Sequence, residues 1–440
     1  MKKVKRRAYS AMLIAGLLIV GTVIYLMRLV NDGEDWATFR ANQSVYHNGV
    51  LNVGTIYDRN GKVLAHAGNG TYGYAEDWAT RISSLHTVGD YPGHFGSGAL
   101  SVFSPKLVNY SLLNGTYTHD GTGGSVTLSI DASLNAVAYG ALAGRNGAVV
   151  VYNYETGEII CMVSAASFDP NGAPPDGVEG IYINRAIGST YTPGSVFKII
   201  TLAAAIENIS DLSTRSFYCS GSVVVVGRTV TCTGVHGSQT IEQAFANSCN
   251  CAFSEISVEL GADTLYKYAE NYGLLSSHDL DGMTTAAGEF EKAESGSSDL
   301  AWSGIGQYNN LVSPYAMMRL MGAIANNGDL YEPTILIESN GILGSSPSTT
   351  RLMKPATAKW IKEIMSYAVV NSYGTWRFPD LDLCAKTGTA EVGSGASHSW
   401  FTGFLKSGEP LAFAVIVEHG GSGLSAAGAI ANTVLQEAIK

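Results

Sequence analysis

The sequence predicts an α+β protein, a mainly antiparallel sheet flanked by helices, preceded by one transmembrane helix and a small strand-rich domain. Three observations predict it. Ala8 to Met27 is a 20-residue stretch without a charge. Strand-like runs stand at both ends of the region from Ser125 to Lys440, around a helical middle, which is the pattern of one sheet assembled from both ends of a domain. With 440 residues, 15% charged and 10% aromatic, the chain is not disordered and is long enough for two or three domains with a sizeable core.

The amino-terminal element sets the compartment. Twenty helical residues rise about 30 Å, the thickness of the hydrocarbon layer. Lys2, Lys3, Lys5, Arg6 and Arg7 precede the run and Arg28 follows it. Residues 1–7 are therefore expected to stay in the cytoplasm, 8–28 to cross the membrane, and everything after Arg28 to lie outside. A cleaved signal peptide has a shorter apolar core and a small-x-small site. Arg28-Leu29-Val30-Asn31-Asp32 holds no such site, so the anchor is read as uncleaved. The net charge of −10 is uneven: from Leu29 onward 21 basic residues face 37 acidic ones, a charge of −16. Such a body repels a phosphate backbone, which argues against nucleic-acid binding.

Residues 29–124 read as a non-catalytic pedestal, rich in Gly, Ser, Asn and Tyr with short strand-like pieces. Asn60-Gly61, between Gly54–Arg59 and Lys62–Ala65, predicts a hairpin. Asn69-Gly70-Thr71 and Thr122-Gly123-Gly124 read as loops. The denser domain, 125–440, opens with a strand over Ser125–Ile130 and a helix through Leu142 capped by Asp131. A hairpin follows over Ala148–Asn153 and Glu158–Val163. Mixed helices run from Ser195 to Ala325. Three late strands (Leu383–Ala390, Ser399–Leu405, Leu411–Glu418) lead to a terminal helix from Ser425.

Six cysteines (161, 219, 232, 249, 251, 384) are too few for a disulfide scaffold in a chain this long. No CxxC is followed by a second CxxC or by HxxxH, so linear spacing gives a structural zinc site no support. The nine histidines form no metal-ligand spacing, and His236 and His398 read as structural. Cys219 and Cys232 flank a hairpin over Val223–Val230. They either pair outside the membrane or stay ordinary thiols, and the sequence leaves both open. Cys249 and Cys251, two apart, are not expected to bond each other.

Three segments carry chemistry. In Thr192-Pro193-Gly194-Ser195-Val196-Phe197-Lys198, Pro193 and Gly194 cannot sit inside the helix that follows, so Ser195 falls in its first turn. Lys198, three residues on, shares its face and can touch the hydroxyl. An amine whose charge is disfavoured by burial can take the serine proton and make a nucleophile. Alone the spacing is weak, since a capping serine beside a surface lysine gives the same S-x-x-K. Ser248-Cys249-Asn250 is weaker still, because Ser133-Leu134-Asn135 also matches S-x-N. Lys386-Thr387-Gly388-Thr389 is more specific: a glycine lets a ligand approach the strand, beside a lysine charge and two hydroxyls.

Order decides between these readings. S-x-x-K at a helix start, then S-x-N, then K-T-G on a late strand is the set found in penicillin-binding proteins and class A β-lactamases. The chain resembles a class B penicillin-binding protein, a monofunctional D,D-transpeptidase, over nearly its whole length. Gly54–Ala65 is similar to the family's box outside the membrane. Ser125–Asp131 and Gly147–Pro170 are similar to the start of its transpeptidase domain. Ile305-Gly306-Gln307, Ser313-Pro314 and Ile324–Gly328 are similar to the stretch before the third motif, from which Tyr308 departs where the family has glycine. The resemblance implies the penicillin-binding transpeptidase and β-lactamase-like fold. It implies that Ser195 attacks the penultimate D-alanine carbonyl of a peptidoglycan stem peptide ending in D-Ala-D-Ala, with Lys198 as general base. Ser248 would relay the proton to the leaving amine and Asn250 would orient substrate and Lys198. Lys386 would tune Ser248, while Thr387, Gly388 and Thr389 would bind substrate. The backbone N–H groups of Ser195 and Thr389 would form the oxyanion hole. β-Lactams would acylate the same serine, no cofactor is implied, and a SEDS-family glycan polymerase is the implied partner, since the segment before Ser125 is too short for a glycosyltransferase domain.

Three rivals share part of this reading. The nearest is a β-lactamase or β-lactam sensor built on the same domain; a class A enzyme needs a glutamate, typically within Glu-x-x-Leu-Asn, to activate the deacylating water, and no such motif stands between Asn250 and Lys386. A D,D-carboxypeptidase differs only in its acceptor. A catalytically silent scaffold is opposed by three intact motifs.

Overall fold

Helix α1 (Lys2–Ala37) carries the uncharged run, and its most apolar window is 0% buried by the rest of the chain. It is long and apolar enough to cross a bilayer. The computed structural model describes every residue except 44, 48, 69, 114, 117–122, 295–296, 338–347 and 394. Asn69 and Thr122, each part of an expected loop, lie outside the described residues.

The amino-terminal region is built on strands β1 (Gly54–Tyr57), β2 (Val63–Gly68) and β3 (Thr71–Tyr74), with helix α2 (Trp78–Val88) after them. The hairpin expected at Asn60-Gly61 forms, with Tyr57 opposite Val63. Its turn is shaped by Asp58, whose Oδ1 accepts from the backbone N–H of Asn60 (2.9 Å) and Lys62 (2.8 Å). The Asp58 Oδ2 accepts from Ala132 N at 3.2 Å, tying the hairpin to the next domain. Strand β4 (Ser125–Thr127) runs parallel to β1 and completes a sheet of order β3-β2-β1-β4. Helix α2 was not foreseen. It is capped by Asp77, and Arg81 forks onto Asp169 with bonds of 2.9 and 2.7 Å.

Helix α3 (Ala132–Leu142) starts at Asp131, whose Oδ1 accepts from Ser133 N and Leu134 N. Strands β5 (Gly147–Asn153) and β6 (Ile159–Ala165) form the expected hairpin. In the middle stand α4 (Lys198–Asn208), the short strands β7 (Phe217–Cys219), β8 (Ser222–Val225), β9 (Arg228–Thr231) and β10 (Gly237–Gln239), then α5 (Ile241–Ala246), α6 (Asn250–Leu260), α7 (Pro314–Ala325) and α8 (Pro355–Ala368). The chain closes with β11 (Leu383–Ala390), β12 (His398–Leu405), β13 (Leu411–Val417) and α9 (Ala427–Ala438).

The main sheet has five antiparallel strands in the order β11-β12-β13-β5-β6, so the two ends of the domain do meet in one sheet. Its central strand β13 is buried along its whole length rather than alternately, because helices cover both faces. Helix α7 is buried at every residue and is apolar on all sides except at Arg319. Its Arg319 pairs with Glu332 at 2.6 Å.

A partly buried ion pair holds the segment that leads into the Ser195 turn. Arg185 Nε donates to Glu418 Oε1 at 2.8 Å, and Tyr191 OH donates to the same oxygen at 2.9 Å. Burial alone would raise the Glu418 carboxyl, but its Arg185 and Tyr191 partners outweigh that and hold it below the ordinary carboxylate range. Removing Arg185 takes away the only cationic partner of that charge within bonding distance among the described residues, leaving the Tyr191 hydrogen bond. Because Glu418 is partly exposed and keeps its Tyr191 bond, we expect Arg185→Met to cost about 1–2 kcal/mol, less than a fully buried pair, read as a fall of a few degrees in thermal unfolding. The pair's contribution is present above the ordinary carboxylate pKa and is lost as pH falls through the lower folded value. The variant should therefore differ most from the parent near neutrality and least in acid.

Candidate active site

Gly194–Phe197 form a 3₁₀ turn that runs directly into α4, so Ser195 sits on a tight turn at a helix start as expected. Gly194 has φ +54°, and a Cβ there would lie 2.8 Å from Thr389 O. A Cβ on Gly306 would lie 2.0 Å from Gly194 O. Side chains at either place would push the serine turn away from β11 and from the 306 loop. Tyr308, which departs from the family's glycine, nevertheless takes φ +63°, a conformation glycine adopts freely, and its hydroxyl bonds Glu291 at 3.1 Å.

The three motifs converge on Lys198, which is fully buried. Its Nζ lies 2.6 Å from Ser248 O, 2.7 Å from Asn250 Oδ1, 3.1 Å from Ser195 Oγ and 3.2 Å from Ser248 Oγ. The first two oxygens can only accept, so two N–H bonds go to them. The third position faces two hydroxyls, each able to donate as well as accept. A neutral amine therefore fits this cage without losing a bond, its lone pair aimed between the two serines. Burial pushes Lys198 down to about 8, which makes the neutral form accessible.

Lys386, on β11, is also fully buried and donates to Ser248 Oγ at 2.9 Å and to Thr387 O at 3.0 Å. Burial, and then the Lys198 charge, hold it well below the ordinary lysine value. Ser248 thus bridges two amines. Its φ of +52° is a left-handed conformation that a serine adopts at a cost of about 1–2 kcal/mol. Bonds from Ser248 N to Phe245 O and from Cys249 N to Ala244 O hold the turn. Asn250 is oriented by its Nδ2, which donates to Thr231 O at 2.9 Å.

On β11, a Cβ at Gly388 would lie 2.9 Å from Pro193 O, so the glycine admits the serine turn against the strand. The Thr389 Oγ1 accepts from Gly423 N at 3.3 Å. Two neighbours were not foreseen. Tyr373 is buried in the turn after α8, and its hydroxyl accepts from Thr387 N at 3.3 Å. Trp400, fully buried on β12, donates from Nε1 to Thr192 O at 3.0 Å and backs the serine turn. Neither belongs to a linear motif.

Next to this site the structure decides the cysteine pairing that the sequence left open. All six cysteines are free. Cys219 Sγ lies 3.5 Å from Cys251 Sγ, and Cys232 Sγ lies 3.8 Å from Cys249 Sγ, so the pairing of Cys219 with Cys232 does not form. His236, read as a structural histidine outside any ligand spacing, has Nδ1 3.6 Å from Cys232 Sγ. The ligand atoms of Cys219, Cys232, His236 and Cys249 all lie within 4.8 Å of one another. The cluster draws on three separate segments, which is why no linear pattern revealed it.

A serine on a helix-start turn, a buried lysine one turn on and a second buried lysine on the adjoining strand define a serine acyl-transfer enzyme. The family model of the penicillin-binding protein transpeptidase domain matches residues 147–436. The chain belongs to this family, and within it to the class B penicillin-binding proteins. It is 30% identical over 346 residues to peptidoglycan D,D-transpeptidase PbpA of Mycobacterium tuberculosis, covering 70% of each chain. The D,D-transpeptidase domain of a peptidoglycan glycosyltransferase from Eggerthella lenta is 30% identical with a TM-score of 0.75, covering 88% of this chain and 97% of that one. The penicillin G acyl-enzyme complex of M. tuberculosis penicillin-binding protein A is 26% identical with a TM-score of 0.75, covering 88% of this chain and 100% of that one.

Proposed function

We propose that this chain is a peptidoglycan D,D-transpeptidase that cross-links stem peptides through a Ser195 acyl-enzyme. The observation that carries the reading is the cage around Lys198 Nζ, with Ser195 Oγ at 3.1 Å and Ser248 Oγ at 3.2 Å. Lys198 takes the Ser195 proton as Oγ attacks the carbonyl of the penultimate D-alanine. The backbone N–H groups of Ser195 and Thr389 receive the oxyanion, each donor contributing about 3 kcal/mol to the transition state. Ser248, between the two lysines, passes the proton to the departing D-alanine amine. The amine of a neighbouring stem then attacks the ester, and its proton returns to Ser195 Oγ by the reverse route. Asn250 orients Lys198. Lys386 and the hydroxyls of Thr387 and Thr389 receive the substrate's terminal carboxylate. β-Lactams enter the first half of this sequence and stop at the ester.

The same reading places residues 29–124 as a pedestal outside the membrane and 125–440 as the transpeptidase domain, with α1 as a single-pass anchor. It also assigns a SEDS-family polymerase as the partner at the anchor and pedestal. Co-purification that survives deletion of both would count against that partner.

The reading is tested on the full chain in detergent by following intact mass after adding penicillin. A one-to-one adduct lasting hours, and amine-dependent turnover of a D-Ala-D-Ala thioester, are expected. An adduct clearing within seconds would indicate a β-lactamase. Hydrolysis indifferent to added amine would indicate a carboxypeptidase.

A further inference from the structure

Strand β11 is an edge of the main sheet, so alternate N–H and C=O groups along it point away from β12. At Thr387 both outward groups are taken. The carbonyl accepts from Lys386 Nζ at 3.0 Å, and the N–H donates to the Tyr373 hydroxyl at 3.3 Å. By the same alternation Thr389, two residues on, turns its N–H and C=O to that edge. Thr387 and Thr389 are also the two positions of β11 that are not buried. Tyr373 therefore closes the strand edge beside the two threonine hydroxyls.

The local fold fixes that phenol closely. After α8 the chain makes a π-helical turn over Val369–Tyr373, a rare conformation that occurs frequently at functional sites. It reverses at Gly374, whose N–H donates to Val369 O at 3.0 Å. The Tyr373 ring packs edge-on against Phe401 with centroids 6.3 Å apart, and Phe401 stands directly opposite Thr387 in the β11–β12 ladder. The ring is buried. Burial pushes the phenol above its ordinary value, so it keeps its proton.

Hydrogen counting gives this proton a destination. The Tyr373 oxygen already accepts from Thr387 N. Among the described residues the acceptor within reach of its own proton is Thr387 Oγ1, 3.5 Å away. That is longer than an ordinary O–H···O bond of about 2.8 Å, and bonds at such sites tighten when substrate arrives. Hydroxyl protons rotate to suit their partners. When the phenol donates to Thr387 Oγ1, the threonine keeps its single proton for a substrate oxygen. When the threonine donates to the phenol, that proton is lost to the substrate.

We propose that Tyr373 is a positioning residue for substrate carboxylate. It holds the Thr387 backbone through the N–H bond and donates to Thr387 Oγ1, so that the Thr387 hydroxyl delivers its proton to the carboxylate. The inference rests on the transpeptidase reading above, which supplies that carboxylate. Hydrogen bonds in a chain polarise one another, so the anion strengthens both links. The bonds of Tyr373 go to Thr387 and not to Ser195, Lys198 or Ser248. Its effect thus falls on recognition of the anion rather than on proton transfer at the serine.

The test compares benzylpenicillin with its methyl ester, in which the carboxylate is masked, as acylating agents of the full chain in detergent, followed by intact mass. The parent should prefer the acid. Tyr373→Phe keeps the ring against Phe401 and removes one oxygen, so it should fold and unfold within a few degrees of the parent. Its acylation rate constant for the acid should fall about five- to tenfold, the value of one hydrogen bond on the path to a charge. That for the ester should move by less than about twofold. In a Thr387→Val background, Tyr373→Phe should add almost no further loss for the acid, because the two residues act as one chain. Equal losses for acid and ester would make Tyr373 merely structural and overturn the proposal. So would an unchanged constant for the acid, or losses that simply add in the double variant. These outcomes leave the transpeptidase reading standing, whereas a parent that neither agent acylates would overturn that reading and this proposal with it.

Discussion

Ser195→Ala is expected to abolish covalent capture of penicillin and all acyl transfer while leaving the fold in place. The substitution removes one oxygen and adds no volume. Lys198 Nζ keeps its contacts to Ser248 O, Ser248 Oγ and Asn250 Oδ1, so no buried amine is left without partners. A lost neutral hydrogen bond is worth about 1 kcal/mol, so the unfolding temperature should move by a few degrees at most. Intact mass of the variant after hours with penicillin should equal that of the untreated chain. Residual adduct would require another nucleophile, for which Ser248 is the nearest candidate, and peptide mapping would locate it. Binding without acylation should persist, because Lys386, Thr387 and Thr389 are untouched. A fluorescent penicillin should therefore be retained reversibly and lost on denaturation.

Legibility in the sequence followed distance along the chain. Ser195 and Lys198 are three residues apart, so one helical turn suffices to place them together. The hairpin at Asn60-Gly61, the Asp131 cap and the five strands of the main sheet are likewise local patterns, and each is found. The order of S-x-x-K, S-x-N and K-T-G then carried the family resemblance. What was missed depends on tertiary approach. Tyr373 reaches Thr387 because the chain turns after α8, and nothing in Asn371-Ser372-Tyr373 announces that. The cysteine and histidine cluster joins residues 219, 232, 236 and 249, and ladder register rather than spacing brings them together. Helix α2 was hidden by composition: Ser83, Ser84, His86 and Thr87 lie buried against the neighbouring domain where an apolar stripe would have signalled a helix. Strand β4 also joined the amino-terminal sheet, a parallel pairing of Thr55–Tyr57 with Ser125–Thr127 that no local signal encodes.

Lys198→Met should lower the rate of penicillin acylation by about 10²- to 10⁴-fold, the usual contribution of a positioned general base. Methionine is close in volume and fills the buried site, so the loss should lie in rate rather than in folded protein. The pH profile separates this role from a merely structural one. Only the neutral amine can accept the Ser195 proton, and burial lowers Lys198 to about 8. Acylation by the parent chain should therefore rise close to tenfold per pH unit below that value and level off above it. The variant, lacking the titrating amine, should show no such limb. Lys198→Arg sharpens the comparison: its guanidinium stays protonated throughout, so the charge and bonds to Ser248 O and Asn250 Oδ1 can persist while the base is gone. Arg should be as slow as Met and equally flat with pH. A parent profile with no limb near 8, or an arginine variant at near-parent rate, would remove Lys198 as the base and move that role to Lys386, which is bonded to the same Ser248 hydroxyl from the opposite strand.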